Sequence, residues 1–316
     1  MTTAEWIRSR LAKVHPRPAA DLAVRPHDST FDGEPVREWL LAPEPVRNQR
    51  IESEVQKWAL HIGLYQPGSA HVMAEGPCTI LATVVLPDAP DELVRLLSMY
   101  WTLIIAFDDQ VVEAGRPAQP YLREVPEILL HGVLPDRPDV FHLAFAEIRD
   151  GIVALAGEDL LPAFTRCVTD AIRTYAAESE TIDGYLRDAV ANSHILPGML
   201  LQGLRPGVAD LDHLARLVTV IARLENDLLS YRKDERDGAA NICWIVAREY
   251  GIEPIATVPV VVGMIDALRV QHDDLLAAIL ADESRAADHH QATTISKWVD
   301  ACYAWFLTVA RYGVTR

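Results

Sequence analysis

Two clusters of oxygen-bearing side chains carry the chemistry this chain could do. The first is Asp108-Asp109-Gln-Val-Val-Glu113. It follows directly on Met99-Tyr-Trp-Thr-Leu-Ile-Ile-Ala-Phe107, a segment apolar almost all round. A helix with no polar face belongs inside a protein. Carboxylates that leave so dry a segment need cations or a metal, because an unpaired buried charge is costly. Adjacent carboxylates suit a hard divalent ion, and Mg²⁺ takes one or two of them together with substrate phosphates.

The second cluster lies in Arg223-Leu-Glu-Asn226-Asp227-Leu-Leu-Ser230-Tyr-Arg-Lys233-Asp234-Glu235. Asn226, Ser230 and Asp234 are spaced i, i+4, i+8. Each step of four advances about 40° and roughly 6 Å along a helix, so the three oxygens share one stripe. An amide carbonyl, a hydroxyl and a carboxylate on one stripe form an all-oxygen site for a hard cation. Lys233 beside them supplies a point charge for a phosphate. A polar stripe alone describes many solvated helix faces. Two such clusters in one apolar helical chain point instead to several Mg²⁺ ions held in the mouth of a bundle.

Helices must position both clusters. Apolar residues recur at i, i+3, i+4 and i+7 over 92–113, 139–156, 159–178, 208–235, 239–250, 261–282 and 293–312, and each stretch reads as a helix. Pro117 and Pro120, Pro135 and Pro138, and Pro206-Gly207 punctuate them. Thr79–Leu86 fits a strand or a buried helix. Residues 1–35, rich in Pro, Arg and Asp, read as a loosely ordered arm, and 36–316 as one domain. The predicted fold is all-α: a single-domain antiparallel helical bundle.

Composition removes several classes. The 316 residues carry a formal charge of −16, which argues against nucleic acid and an anionic membrane surface. Half are hydrophobic and 23% charged, as in an ordered globular protein. Arg8, Arg10, Lys13, Arg17 and Arg25 precede no apolar core of a secretory leader. No apolar stretch approaches the roughly 18 residues of a membrane span. Cys78, Cys167, Cys243 and Cys302 have no metal spacing and read as reduced thiols, so the expected location is cytoplasmic.

With these residues in view, the chain resembles the bacterial class I terpene synthases (terpene cyclases). Asp108-Asp109-Gln-Val-Val-Glu113 resembles their aspartate-rich motif. Asn226-Asp227-Leu-Leu-Ser230-Tyr-Arg-Lys233-Asp234 resembles their second metal motif, with Asp in place of the usual final Glu. Asn241 stands where the family often has an Asn-containing turn. Arg311-Tyr312 matches a diphosphate-binding Arg-Tyr pair, and Trp305 a frequent cavity aromatic. The likeness spans about residues 75–313. One feature departs from it: Tyr185-Leu186-Arg187-Asp188-Ala189 has Ala where the family keeps a diphosphate-sensing Arg. Arg187 and Arg173 are the candidate replacements, with Val-Ala-Asn192-Ser193 as the expected helix break and His194 beside it a candidate base.

The resemblance implies a bundle around a central apolar cavity and ionisation of an allylic isoprenyl diphosphate, then carbocation cyclisation. It implies three Mg²⁺ ions, with Mn²⁺ as substitute, on Asp108, Asp109, Glu113, Asn226, Ser230 and Asp234. Asp109 and Glu113 could instead hold basic residues, and Glu113 is the better candidate for that. Lys233, Arg311, Tyr312 and Arg187 would bind the diphosphate. Phe107, Trp101, Trp305 and Trp244 would line the cavity, where aromatic faces stabilise a cation without attacking it. The absent sensor tilts the expected substrate to C20, geranylgeranyl or copalyl-type, with C15 farnesyl diphosphate close behind. A homodimer is compatible with the family. Three other readings compete. A chain-elongating prenyltransferase needs a second acid pair, for which only Asp273-Asp274 offers. A protonation-initiated cyclase needs an Asp-x-Asp-Asp string that is absent. A non-catalytic helical interaction protein would show exposed apolar grooves and no Mg²⁺ dependence.

Overall fold

The computed structural model describes residues 24–31, 34–41, 45–68, 76–176, 179–204 and 207–309, and for the first two stretches only the backbone. Arg311 and Tyr312 lie outside the described residues.

Helices dominate, as the periodicity predicts. They are α1 (Pro45–Ile62), α2 (Cys78–Val85), α3 (Asp91–Phe107), α4 (Gln119–His131), α5 (Val140–Ala156), α6 (Leu161–Ala176), α7 (Ile182–Asn192), α8 (Ile195–Leu201), α9 (Ala209–Asp237), α10 (Ile242–Tyr250), α11 (Val258–Ala281) and α12 (Ala286–Thr308). The run at Thr79–Leu86 resolves as α2. Seven of its eight residues are buried, so burial and not strand alternation explains its unbroken apolarity.

One element was not anticipated. β1 (Val24–Phe31) and β2 (Glu34–Leu41) pair antiparallel, with Phe31 opposite Glu34, and β2 lies beside α1. This hairpin straddles the expected boundary at residue 35. The dipeptide between the strands in sequence is Asp32-Gly33, a strong hairpin signal. The Pro and charge content of the flanks hides it.

α3 and α9 are the structural spine. α3 packs on α1, α2 and α5, and α9 on α7, α11 and α12. Leu97, Leu103 and Phe107 of α3 and Leu214, Val218, Ile221 and Leu228 of α9 are fully buried. Each such side chain removed from water stabilises the fold by about 1.5–3 kcal/mol. Cys78, Cys243 and Cys302 are buried free thiols, and Cys167 is half-buried.

The expectation about membrane spans needs amending. Pro254–Ala281, which includes α11, is long and apolar enough to cross a membrane by length and composition alone. Val260 and Val270 on it are exposed.

Candidate active site

The second cluster sits on α9 as predicted. Ser230 and Asp234 are buried, and Asn226 is half-buried. Ser230 Oγ donates to Asp234 Oδ2 at 2.6 Å. Gly238 ends α9 in the left-handed conformation (φ 69°), which glycine adopts without penalty, and the chain turns back there. The turn brings Asn241 against α9. Its Nδ2 donates to Asp234 Oδ2 (2.8 Å) and to the Asp227 carbonyl (2.7 Å). Its Oδ1 accepts from Cys243 N and caps α10. Asn241 therefore locks the turn and orients the last donor of the stripe. Burial raises the Asp234 carboxyl above its ordinary value, against the opposing pull of Ser230, Asn241, Arg223 and Lys233.

The first cluster is brought together by a device that letters alone do not reveal. Beyond Phe107 the backbone leaves the α-helix for a π-helical turn at Asp108–Val112, where Glu113 N donates to the Asp108 carbonyl at 2.8 Å. In an α-helix a residue five places on lies about 140° round the axis. The wider π-turn brings Glu113 back over Asp108, and such turns concentrate at functional sites. One oxygen each of Asp108, Asp109 and Glu113 lies within 4.8 Å of the others. Gln110, inside the turn, donates to the Leu64 carbonyl at 2.7 Å and pins it to the end of α1.

Both clusters face one cavity of about 280 Å³. Asp108 and Glu113 line it from one side, and Asn226, Ser230, Lys233 and Asp234 from the other. Lys233 Nζ donates to Glu113 across the mouth. The deeper wall is apolar and aromatic: Trp101, Ile104, Ile195, Cys302, Trp305 and Phe306. Trp305 is fixed by its indole N–H, which donates to the Pro77 carbonyl at 2.9 Å.

The sequence reading missed Arg223. It lines the cavity one helical turn before Asn226. Its Nη1 reaches Asn192 Oδ1 at 3.4 Å, and its Nε donates to Tyr185 Oη at 2.9 Å. The same Nε lies 3.1 Å from Asp227 Oδ1. Tyr185 Oη donates to Asp227 Oδ2, which also accepts from Ile242 N at 2.9 Å. Burial pushes the Asp227 carboxyl up to about 6, opposed by Arg223, Tyr185 and the Ile242 N–H, so it is ionised at neutral pH. Asp227 and Tyr185 thus hold Arg223 toward the end of α7. The signal that could have found it was its i, i+4 spacing to Asp227 beside the metal stripe.

α7 ends at Asn192, and the chain breaks at Ser193-His194 before α8. His194 is the single non-glycine residue with positive φ (54°) among the described residues. Two hydrogen bonds hold this strained conformation: Nδ1 with Tyr100 Oη (3.0 Å) and Nε2 with Tyr175 Oη (2.9 Å). Burial pushes the imidazole down to about 3, so it is neutral, and it lines the cavity.

Other predicted residues fall elsewhere. Phe107 is buried against Tyr121, Phe141 and Tyr175 and does not line the cavity. Trp244 is also outside it, edge-on to Tyr231. Phe107 directly precedes Asp108 and Trp244 follows Asn241 in sequence, but neither ring reaches the cavity. Ala189 faces the cavity while Arg187, two residues earlier, lies on the opposite side of α7. Asp109 joins the carboxylate triad without lining the cavity. Asp273 and Asp274 are exposed on α11, away from the cavity, so no second acid pair faces the first.

Known proteins share the fold and one segment of the sequence. Residues 208–271 match the family described as terpene synthase family 2, C-terminal metal binding, a stretch that contains the whole α9 stripe. The fold matches linalool/nerolidol synthase from Streptomyces clavuligerus with TM-score 0.68 and 18% identity, covering 82% of this chain and 96% of that one. It matches 2-methylisoborneol synthase from Streptomyces coelicolor A3(2), in complex with Mg²⁺ and 2-fluoroneryl diphosphate, with TM-score 0.74 and 17% identity, covering 84% and 92%. This chain has the class I terpene synthase fold. Aristolochene synthase from Penicillium roqueforti shares it too, with TM-score 0.68 and 17% identity over 90% of this chain and 100% of that one. No curated protein shows significant sequence similarity to the chain. The resemblance read from the two motifs therefore holds in the fold and in the metal-binding segment.

Proposed function

We propose that this protein is a terpene cyclase: it ionises an allylic isoprenyl diphosphate with divalent-metal help and cyclises the resulting carbocation. The observation that carries the proposal is the meeting of two all-oxygen clusters, one on the π-turn after α3 and one on α9, at the mouth of one apolar cavity.

The donors fit the metal. All are oxygens, the choice of hard cations. The three carboxylates approach within 4.8 Å, and octahedral Mg²⁺ at about 2.1 Å spans oxygens up to about 4.2 Å apart. A small rotation of Glu113 closes the difference. Asp108 and Asp109 would hold metal on one side, and Asn226, Ser230 and Asp234 on the other, with Glu113 shared between metal and Lys233. Bound Mg²⁺ would offset the charge that develops on departing diphosphate.

The chain's own residues supply the rest. Lys233 and Arg223 donate to diphosphate oxygens, and charged donors placed in advance act strongest in a site that excludes water. Arg311 and Tyr312 are assigned the same role from the family motif. Trp101, Trp305 and Phe306 present ring faces to the cation, and the apolar wall keeps water from quenching it.

Arg223 also bears on the substrate. The preference for C20 rests on the missing sensor at Ala189, and Arg223, bonded to Asn192 at the helix break, offers a guanidinium to the same cavity. With that donor in place, a C15 diphosphate stands beside a C20 one as substrate. Incubation with C10, C15, C20 and copalyl diphosphates plus Mg²⁺, followed by hydrocarbon analysis, is the test. A cyclic product from a C15 or C20 substrate is expected. No product and no diphosphate release from any of the four would overturn the proposal.

A further inference from the structure

A second hollow lies on the far side of α7. Its volume is about 660 Å³, within the range that ordinarily holds a small organic ligand. α6, α7, α8 and the start of α9 enclose it. Its floor is apolar: Leu200 and Leu204 are buried, and Val190 and Leu196 half-buried.

The rim carries four arginines against three aspartates, a small positive excess on an acidic chain. Arg166 and Arg173 come from α6, Arg187 from α7 and Arg216 from α9. Arg173 is paired with Asp170. Arg166, Arg187 and Arg216 are exposed, and among the described residues none has a carboxylate at ion-pair distance. Of the acids on the same rim, Asp170 is paired with Arg173, while Asp188 and Asp212 keep their charge and accept from neutral donors, Ser179 Oγ and Gly207 N (3.0 Å). Arginine binds phosphate oxygens through a planar fork of donors. Three such groups over an apolar floor complement a molecule with a greasy chain and a multivalent anionic head.

We propose that this pocket binds an anionic amphiphile, an apolar chain bearing a phosphate head, held by arginines without a metal. α7 is the partition between pocket and cavity. Thr174 and Asp188 line both. Arg187, Val190 and Ala191 face the pocket, while Tyr185, Ala189 and Asn192 face the cavity. An occupant therefore presses on the helix whose other face carries two partners of Arg223. The binding itself does not depend on the cyclase proposal and can be measured without turnover.

The test is calorimetric titration of the whole protein in excess EDTA with dodecyl phosphate, geranyl monophosphate, inorganic phosphate and dodecanol. Both amphiphiles should bind at least tenfold more tightly than either half alone. Tighter binding of geranyl monophosphate assigns an isoprenoid occupant, and tighter binding of dodecyl phosphate a straight-chain one. The combined charge reversal Arg166→Glu, Arg187→Glu and Arg216→Glu, at exposed positions, should weaken binding at least tenfold with an unchanged melting temperature. Ala191→Trp should block the chain and remove the advantage of the amphiphiles over inorganic phosphate. Equal affinity in the charge-reversed protein, or inorganic phosphate binding as tightly as dodecyl phosphate, would overturn the proposal.

Discussion

Lys233 donates to Glu113 across the mouth of the cavity, so an ion pair joins the two metal motifs directly. Both side chains are largely shielded, at 17% and 24% exposure. A phosphate ligand would have to compete with Glu113 for the ammonium. Glu113→Gln should therefore tighten metal-free binding of inorganic diphosphate about three- to tenfold, measured by calorimetry. The same change should slow Mg²⁺-dependent turnover. Weaker diphosphate binding would show that the pair does not restrain Lys233.

Metal dependence follows from the oxygen-only donor set. Activity should vanish in excess EDTA and return with Mg²⁺ or Mn²⁺. Asp108→Ala and Asn226→Ala should each lower turnover at least a hundredfold with little change in melting temperature. Asp273→Ala, on the exposed face of α11, serves as control and should leave turnover unchanged.

Arg223 separates catalysis from stability. Arg223→Met removes the cation that opposes burial at Asp227, so the carboxyl is driven further up and takes up a proton at neutral pH, at a cost to stability. Adding Asp227→Asn puts a neutral amide there from the start and should restore much of that stability. Turnover should stay low in the double variant, because no donor then replaces the guanidinium. Recovery of both together would assign Arg223 a structural role only.

His194 makes acid stability predictable in sign. The folded imidazole is pushed down to about 3 by burial, whereas in the unfolded chain it titrates near its ordinary 6.5. The unfolded state then binds more protons between those values, so stability is full above about pH 6.5 and falls as pH drops toward 3. The full effect is on the order of 5 kcal/mol. His194→Asn tolerates the left-handed conformation and cannot titrate. Its stability should lie below the parent at pH 7 and fall less steeply with acid, by chemical denaturation at a series of pH values. Parallel curves for the two proteins would exclude His194 from the acid response.

Much of this site could be read from the chain because α9 is a regular helix. Asn226, Ser230 and Asp234 share a stripe by period alone, and the fold placed them together. Glu113 beside Asp108 was readable as an acid but not as a neighbour, since the π-turn breaks the period used to read it. Phe107 and Trp244 show the reverse failure: adjacency in sequence to a motif says nothing about which face of a helix a ring occupies. Arg223 was in plain view, yet its role depends on Asn192, 31 residues away on another helix. The hairpin was lost because its turn dipeptide lies in a stretch whose composition suggested an arm.

The π-turn at Asp108–Val112 also makes the acidic motif sensitive to length in a way its letters conceal. It is one residue longer than the α-helical path it replaces. Deleting Val112 would leave every acid in the chain and let α3 continue in ordinary pitch. The acid now at 113 would then lie four places after Asp108, about 40° round the axis and roughly 6 Å further along it. All residues beyond the deletion would rotate by about 100° relative to the bundle, while Gln110, before it, keeps its place in sequence. What the chain must keep here is a count, and a variant with an intact motif and one residue fewer would be a helical bundle with its acids out of register.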